Sequence, residues 1–495
     1  MAGALTRRFT VSRPAWLAPR ILRTEVLAGL VVALALIPEA ISFSIIAGVD
    51  PRVGLFASFT MAVSISILGG RPAMISAATG AVALVIAPLV HQYGLQYLIA
   101  TVILAGVVQI VLGLLGVAKL MRFVPRSVMV GFVNALAILI FLAQLPQLQH
   151  VPLMVYPMVA VGLAIIYGLP RLTKVVPSPL ISIIVLTGLT MILRLQVPTV
   201  ADQGELPDSL PTLGLPDVPF DIATLKIIAP YAIGMALVGL LESMMTAKLV
   251  DDITDTHSNK TREAWGQGGA NIVTGLFGGM GGCAMIGQTM INVRSGARTR
   301  LSTFLAGTFL LILVVVLGDT VGKIPMAALV GVMVFVSIST FDWHSVAPKT
   351  LRRMPRSETA VMVLTVVVTV VTHNLSYGVI AGVLLALTLF ARRVAHLVNL
   401  TSTLSADGTT RIYVVTGELF FASSNDLYAQ FDYNDPAEHV IVDLTGAHLW
   451  DASSTATLDA VTNKFHRHGR TVEIIGLDEH SSARHERLSG HLGGH

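Results

Sequence analysis

The feature that most constrains this chain is a succession of apolar stretches, which covers most of its first 400 residues. Most of the stretches are long enough to cross about 30 Å of hydrocarbon at about 1.5 Å per residue, so a polytopic α-helical membrane protein is predicted. The third and tenth are too short, and each follows a glycine-rich segment. The fourteen predicted segments are 25–46, 52–68, 75–90, 96–118, 125–144, 152–170, 178–196, 223–247, 262–278, 284–296, 302–318, 323–341, 357–373 and 376–397.

The composition excludes a single soluble globular domain. Of the 495 residues, 54% are hydrophobic and only 13% are charged, which is about half the charged share of a typical soluble protein. After residue 405 there are 13 acidic and 6 basic residues, against 16 acidic and 27 basic before it. We therefore expect a basic membrane domain followed by an acidic soluble domain, and the basic excess does not indicate a nucleic-acid partner. The single cysteine, Cys283, excludes a disulfide framework.

The basic residues of the loops predict the orientation of the chain in the bilayer. Segment 1–24 contains several arginines and no cleavable leader pattern, and basic residues recur after the even-numbered segments. The opposite loop, 199–222, contains five acidic residues and no basic one. Because Lys and Arg collect in cytoplasmic loops, both termini are predicted to lie in the cytoplasm, and the protein in the inner (cytoplasmic) membrane. These basic residues are Arg7, Arg8, Arg13, Arg20, Arg23, Lys119, Arg122, Arg126, Arg171, Lys174, Arg294, Arg298, Arg300, Lys349, Arg352, Arg353, Arg356, Arg392 and Arg393.

Two features recur seven segments apart. The short segments are the third and the tenth, and mid-helix carboxylates occur in the first segment (Glu39) and the eighth (Glu242). A duplicated unit of seven helices must invert its second copy, because an odd number of crossings ends on the other side. Inverted repeats with interrupted helices in matching positions indicate a transporter site near the bilayer midplane. The alternative is a chance coincidence of glycine-rich interruptions, which are common in membrane helices.

Small residues occur where the third and tenth helices would begin, among them Thr79, Gly80 and Gly287. A half-helix that starts inside the membrane has free N–H groups and a partial positive charge at its first turn. Two such ends that face each other form an anion site without any Lys or Arg. Carboxylates and carbonyls would instead suit a cation, so a cation transporter is the alternative at this point.

Glu39 and Glu242 are the only acidic residues predicted deep inside the segments. An ionisable group in the membrane is costly and is functional by default, although a protonated Glu that only locks two helices is the alternative. Pro38 is expected to open the first helix beside Glu39. An anion bound there would favour the protonated acid, which gives a physical route to anion–proton symport.

Several motifs resemble the sulfate permease (SulP) family of anion transporters, particularly bacterial members that include a proton-coupled fumarate transporter. In chain order, the motifs lie at 25–29, 37–43, 47–51, 54–58, 241–248, 267–272, 277–279, Asn292 and 296–299. The resemblance runs from about Arg23 to the C-terminus. It implies 14 transmembrane segments as seven-plus-seven inverted repeats, divided into core and gate domains, with elevator-type alternating access.

The resemblance also implies an anion site between the third and tenth helices, closed by the first and eighth. Two positions depart from many relatives: Glu39 replaces a Gln, and Gln288 replaces an Arg. The departures imply protons as the coupling ion, although Thr246, four residues after Glu242, leaves sodium open. No metal and no other cofactor is expected. By position, the implied substrate-binding residues are Glu39, Phe43, Thr79, Gly80, Glu242, Ile286, Gly287 and Gln288.

The periodicity changes after Arg393. Strands are predicted at 411–419, 439–444 and 471–476, with a helix at 453–468, so a small α/β domain is expected. The stretches 443–447 and 451–454 resemble the STAS domain, which also occurs in anti-sigma-factor antagonists. That resemblance implies Ser453 as a phosphorylation site, and the alternative is that Ser453 caps its helix. The predicted domains are a cytoplasmic N-terminal segment (1–24), a transporter domain (25–398) and a STAS domain (405–495).

The chain contains none of the common motifs of ATP-driven pumps or hydrolases. Six histidines between 466 and 495 are irregularly spaced in a Gly- and Ser-rich sequence, which favours a solvated tail over a metal site. The resulting hypothesis is a secondary anion transporter, not an enzyme, whose substrate is a small oxyanion or dicarboxylate such as fumarate, sulfate or bicarbonate. An uncoupled anion channel or exchanger and a membrane-anchored STAS signalling scaffold are the alternatives. Besides the anion and the bilayer, two further partners are considered possible: a second copy of the chain in a homodimer, and a cytosolic regulatory partner of the STAS domain.

Overall fold

The computed structural model describes residues 19–116, 124–171, 177–395 and 398–491. Most of the predicted N-terminal segment lies outside the described residues, as do Lys119, Arg122, Lys174 and His495. The chain divides into two compact units, Met1–Gly382 and Val383–His495.

The described part of the first unit is almost entirely helical, with one pair of two-residue strands. Three single 3₁₀ turns, Pro146–Leu148, Leu169–Arg171 and Val200–Gln203, lie in its connections. In chain order, the helices and strands are α1 (Pro19–Ala47), α2 (Pro51–Leu68), β1 (Ser76–Ala77), α3 (Gly80–Tyr93), α4 (Leu95–Leu114), α5 (Arg126–Leu142), α6 (Val155–Gly168), α7 (Ser178–Leu193), α8 (Ile222–Thr254), α9 (Lys260–Leu276), β2 (Cys283–Ala284), α10 (Ile286–Arg294), α11 (Arg300–Gly322), α12 (Met326–Thr340), α13 (Pro348–Arg353), α14 (Arg356–Thr372) and α15 (Leu375–Ala395).

Each of the fourteen predicted segments overlaps one of these helices. The short helix α13 was not predicted, because six residues are too few to show a helical period. Helix α3 begins at Gly80 and not at residue 75, because strand β1 occupies the preceding residues. Among the described residues, seven helices are both long and apolar enough to cross a bilayer: α1, α2, α4, α5 with the turn that follows it, α8, α11 and α15. The total of fourteen crossings stays a prediction.

The contacts between helices divide them into two groups. One group contains α1–α4 and α8–α11, and the other contains α5–α7, α12 and α14. Helix pairs recur after a shift of seven predicted segments: α2 packs on α11 as α9 packs on α4, and α1 packs on α11 as α8 packs on α4. In the second group, α5 packs on α14 as α12 packs on α6. The predicted repeat is therefore present in the packing as well as in the sequence.

Helices α4 and α9 approach closely because glycines line both sides of their contact. A Cβ atom on Gly106 would lie 2.5 Å from the carbonyl oxygen of Gly268, and one on Gly268 would collide with the carbonyl oxygen of Gly106. Gly275 likewise faces the side chain of Ile103. Small residues at an interface let two backbones meet, which is how helices associate where lipid removes the hydrophobic driving force.

We expect Gly268→Ala to destabilise the protein by about 1–3 kcal/mol, because the added methyl overpacks this contact. The matched control is Gly188→Ala in α7, where an added Cβ meets no atom within 4 Å, and which should be neutral or stabilising by about 0.5–1 kcal/mol. Thermal unfolding of the two purified variants in detergent measures the difference. Equal apparent Tm values would contradict the α4–α9 contact described above.

The second unit contains a four-stranded sheet. Its strands are β3 (Asn399–Leu404), β4 (Thr410–Leu419), β5 (His439–Leu449) and β6 (Thr471–Ile475), in the order β3-β4-β5-β6. Strand β4 pairs with β3 antiparallel and with β5 parallel, and β5 pairs with β6 parallel. The helices are α16 (Ser424–Gln430), α17 (Ala452–Arg467) and α18 (Glu479–Leu488). The predicted α/β character is confirmed; β3, α16 and α18 were not predicted.

Two expectations for this unit are wrong. Ser453 does not cap α17: Asp451 is the N-cap, and its Oδ1 accepts from the N–H of Ser454 at 3.0 Å, while Ser453 is exposed. Within the described residues, 479–488 are not a solvated tail, because they form α18; His495 lies outside the described residues. Asp478 caps α18 by accepting from the N–H of Ser481 at 2.6 Å, and the Ser481 hydroxyl accepts from the N–H of Leu449 at 3.0 Å, which ties α18 to the sheet.

The hydroxyl and the N–H of Ser481 lower the pKa of Asp478 to about 2. Because the unfolded value is higher, about 3.9, the ionised cap stabilises the fold at neutral pH, and this contribution is lost as the pH falls through the folded pKa. Asp478→Asn keeps a good capping residue that does not titrate. We therefore expect the hydrogen-exchange protection of residues 479–488, corrected for the intrinsic exchange rate at each pH, to fall on acidification less in the variant than in the wild type. The same acid response in both proteins would contradict this assignment.

Candidate functional site

Two short strands join the two halves of the membrane unit at the predicted helix interruptions. Strand β1 pairs antiparallel with β2, with Ser76 opposite Ala284 and Ala77 opposite Cys283, and all four residues are buried. Helix α3 follows β1 and α10 follows β2. Because the strands are antiparallel, the two helices leave the pair in opposite directions, with their N-termini toward each other.

The first turns of these two helices differ. Thr79 caps α3, and its hydroxyl accepts from the N–H of Val82 at 3.3 Å. Met285 precedes α10 and provides no side-chain cap. A Cβ atom built on Gly287 meets no atom within 4 Å, and Ile286 beside it is only partly buried. The start of α10 therefore borders open space with its N–H groups uncapped, which suits an anion.

The start of α3 is covered by two apolar side chains. A Cβ atom on Gly80 would lie 2.9 Å from Cε1 of Phe43 in α1 and 3.2 Å from Cδ1 of Ile140 in α5. Phe43 and Ile140 are each only 3% exposed. Ile140 was not predicted as a site residue, because nothing in the sequence distinguishes it from the other apolar residues of its helix. It belongs to the second group of helices, so this cover is made from both groups.

Glu39 lies in the middle of α1, and the helix is continuous across Pro38. The expectation that Pro38 opens the helix is therefore wrong: the Ser42 hydroxyl donates to the Pro38 carbonyl at 2.8 Å within an unbroken helix. Glu39 is partly exposed, and the side chain of Gln288 in α10 lies beside its carboxyl group. The structure thus brings together the two positions that depart from many relatives.

Glu242 contacts the other side of the strand pair and is 8% exposed. The Cys283 thiol donates to Oε2 of Glu242 at 3.0 Å, and the same sulfur lies 3.4 Å from the Thr79 hydroxyl. Thr246 donates within α8 to the Glu242 carbonyl oxygen at 2.8 Å and lies 3.4 Å from the Ala284 carbonyl oxygen. These contacts tie α8 to β2 and α3, and the sequence analysis did not predict Cys283 as the partner of Glu242.

Comparison with known proteins now bears on this arrangement. The model of the sulfate permease family matches residues 22–160 and 157–365, and the STAS domain model matches 403–489. The chain belongs to the sulfate permease family. Its members are transporters and not enzymes, and the chain is a multi-pass membrane protein with a C-terminal STAS domain.

The chain is similar to relatives along nearly its whole length. It is 53% identical over 468 residues to YbaR of Bacillus subtilis (strain 168), which has a provisional sulfate-transporter name, with 94% of this chain and 97% of the relative covered. The transmembrane domain of the cyanobacterial bicarbonate transporter BicA matches with a TM-score of 0.65 and 25% identity, over 74% of this chain and 98% of that chain. The murine anion transporter Slc26a9 matches with a TM-score of 0.82, over 97% of this chain and 92% of that chain; at 16% identity this likeness concerns the fold alone.

Polar side chains of α9 hold the connections that lead to the strand pair. Nε2 of Gln267 donates to the Ser76 hydroxyl at 2.7 Å and to Oε1 of Glu263 at 2.8 Å. Oε2 of Glu263 accepts from the N–H groups of Gly70 and Arg71 at 2.7 and 3.0 Å. Hydrogen bonds among buried polar groups fix one backbone arrangement, although Oε1 of Gln267 itself has no partner among the described residues.

Two asparagines have the same role on the other connections. Asn271 donates to Oε1 of Gln109 and accepts from the N–H of Gly282, each at 2.9 Å. Asn292 in α10 donates to the Ala73 carbonyl oxygen at 2.8 Å. The sequence analysis recognised Asn271 and Asn292 only as parts of family motifs, and their partners could not be read from the chain.

We expect Gly287→Leu to abolish saturable anion binding without unfolding the protein, because the new side chain occupies the open space at the start of α10. Gly188→Leu in α7 is the matched control, since a Cβ atom there also meets no atom within 4 Å. Binding of labelled sulfate and fumarate to the purified proteins is the measurement. Wild-type affinity in a folded Gly287→Leu variant would place the site elsewhere.

Proposed function

We propose that this member of the sulfate permease family is a proton-coupled secondary transporter of a small oxyanion or dicarboxylate. One observation supports the proposal most directly: Glu39, partly exposed, is the neighbour of Gln288 in the uncapped first turn of α10. The middle of α1 and the first turns of α3 and α10 contain no Lys or Arg. The anion would therefore be held by backbone N–H groups and small side chains.

The electrostatics of such a site couple the anion to a proton. The partial positive charge at a helix N-terminus is about half an elementary charge, which does not balance a doubly charged anion. An ionised Glu39 beside the anion would repel it, and a protonated Glu39 would not. Substrate and proton therefore bind together, and the proton reduces the negative charge that crosses the membrane.

The surroundings of Glu242 favour protons over sodium as the coupling ion. Hard cations prefer oxygen ligands, but a thiol occupies Oε2 of Glu242 at 3.0 Å. Thr246 is the residue that kept sodium as a possible coupling ion in the sequence analysis. Its hydroxyl donates to the Glu242 carbonyl oxygen at 2.8 Å. Because the Glu242 carboxylate and the Thr246 hydroxyl are already engaged in these hydrogen bonds, we assign Glu242 the role of tying α8 to the strand pair and Glu39 the role of proton site.

The proposed substrates share a compact shape and several anionic oxygens. Two relatives are named for sulfate and bicarbonate, and the sequence motifs resemble a fumarate transporter. Proteoliposome uptake of fumarate, succinate, sulfate, bicarbonate and chloride, with and without a pH gradient, tests the proposal. Accumulation driven by an inward proton gradient supports it, while flux that only follows each anion's own gradient would indicate a channel or an exchanger.

An elevator-type movement is proposed from the contact over Gly80. Phe43 belongs to the group of α1–α4 and α8–α11, and Ile140 to the other group. Displacement of the first group along the second would separate these side chains and open the start of α3. The group of α1–α4 and α8–α11 is then the core domain, and the group of α5–α7, α12 and α14 is the gate domain.

The remaining features of the proposal concern location and regulation. Both termini are proposed to be cytoplasmic in the inner membrane, with the domains at 1–24, 25–398 and 405–495. A homodimer and a cytosolic partner of the STAS domain are proposed as assemblies, and Ser453, exposed in the first turn of α17, as the modification site. Transport that persists after residues 400–495 are deleted would argue against a scaffold whose output is the STAS domain.

We expect Glu39→Gln to retain anion exchange but to lose accumulation when only a pH gradient is supplied, because the amide mimics the protonated acid permanently. Acidification-driven uptake is compared with counterflow exchange in the same vesicles. Proton-driven accumulation at the wild-type level would contradict the assignment of Glu39.

Glu242→Gln is the comparison variant. Its amide oxygen can still accept from Cys283, so proton-driven accumulation should persist, with slower turnover or lower stability. Loss of coupling in Glu242→Gln together with its retention in Glu39→Gln would move the proton site to α8.

A further inference from the structure

Gln288 is an incompletely bonded side chain in a buried position. It is 1% exposed, and its Oε1 atom has no hydrogen-bond partner among the residues that the structure describes. Polar atoms buried in proteins nearly always have a partner, so an unpartnered one requires an explanation. The residue lies in the uncapped first turn of α10, directly after the open space at Gly287.

The same side chain lies beside the carboxyl group of Glu39. Other charged or titratable residues on the helices packed around α1 lie near helix ends: Arg52 in α2, His91 and Tyr93 in α3, Arg294 in α10, and Arg300 and Asp319 in α11. On α1 itself, Arg20, Arg23 and Glu25 lie near its start. Helices α7 and α12 contain none. Among the described residues around Glu39, Gln288 is therefore the polar side chain that we expect to respond to the charge on the Glu39 carboxyl group.

The two ends of an amide differ in hydrogen bonding. A carboxylate only accepts, so an ionised Glu39 requires the NH₂ end of Gln288, and the oxygen end is left toward the anion site. A protonated Glu39 donates its O–H, so the oxygen end of the amide turns toward it. The NH₂ end is then free to donate to an anion. Half a turn about the last side-chain bond reverses the polarity that Gln288 presents.

We propose that Gln288 relays the protonation state of Glu39 to the anion site by reversing its amide, so that it offers an acceptor without the proton and a donor with it. This inference rests on the proposed function and assigns the specificity for the protonated state to Gln288. An arginine at this position would offer donors in both states and would not sense the proton. When neither the proton nor the anion is bound, this relay leaves the Oε1 atom of Gln288 without a hydrogen-bond partner, as the structure has it.

A double-mutant cycle on the full-length protein tests the relay. Binding of sulfate, which stays doubly ionised over the range used, is measured for the wild type, Glu39→Gln, Gln288→Met and the double variant at about pH 5.5 and pH 8. Fumarate is the second probe. Gln92→Met, an exposed glutamine at the end of α3, is the matched control for the loss of an amide.

In the wild type, we expect affinity at the lower pH to exceed that at the higher pH by at least about tenfold. At the higher pH, Glu39→Gln should raise affinity about tenfold when Gln288 is present and clearly less in the Gln288→Met background, where only the direct repulsion between the Glu39 carboxylate and the anion is relieved, because coupled residues are non-additive. Gln92→Met should behave as the wild type. Equal effects of Glu39→Gln in both backgrounds would overturn the relay while leaving proton coupling intact.

Gln288→Arg provides a second test if Gln288→Met does not fold. It should bind sulfate with little dependence on pH, since its donors are permanent. A Gln288→Arg variant that retains the wild-type pH dependence would overturn the relay. If binding to the wild type does not vary with pH and Glu39→Gln changes nothing, the proposed function fails together with the relay.

Discussion

The structure depends on how backbone polar groups are satisfied where two helices are interrupted inside an apolar unit. A break in a membrane helix leaves N–H and C=O groups without partners, and each costs several kcal/mol in hydrocarbon. Here the breaks before α3 and α10 satisfy each other, because Ser76–Ala77 and Cys283–Ala284 pair as strands. Amides from Gln267, Asn271 and Asn292 support the adjoining segments. Neither half of the unit could be interrupted in this way without the other.

This arrangement also explains why the candidate site can be built without a basic side chain. Free N–H groups at the start of α10 provide positive potential that is fixed in direction and requires no buried Lys or Arg. The net charge of the site is therefore set by one carboxyl group, Glu39, and by what binds beside it. Under the proposed function, a permanent positive charge would hold an anion whether or not a proton arrived, whereas this arrangement leaves the balance to the proton.

Much of the fold could be predicted from sequence, because apolar runs and loop charges act over long stretches. The positions of the helices, the repeat after seven segments and the α/β character of the C-terminal domain followed from these patterns. Details set by single contacts could not be predicted. Strand β1 replaced the start of the third segment, α1 stayed continuous across Pro38, and Asp451 rather than Ser453 capped α17. Ile140 and Cys283 reach the site through packing, which no local pattern of an isoleucine or a cysteine reveals.

The position of Cys283 has a practical consequence. It is the only cysteine of the chain, it is fully buried, and it lies between Glu242 and Thr79 at the strand pair. The natural sequence is therefore already a single-cysteine protein with its thiol beside the candidate site. Small thiol reagents can be added from one side of the membrane at a time, without any engineered substitution. The labelling rate from each side would report how often the two helix groups separate and toward which side the site opens.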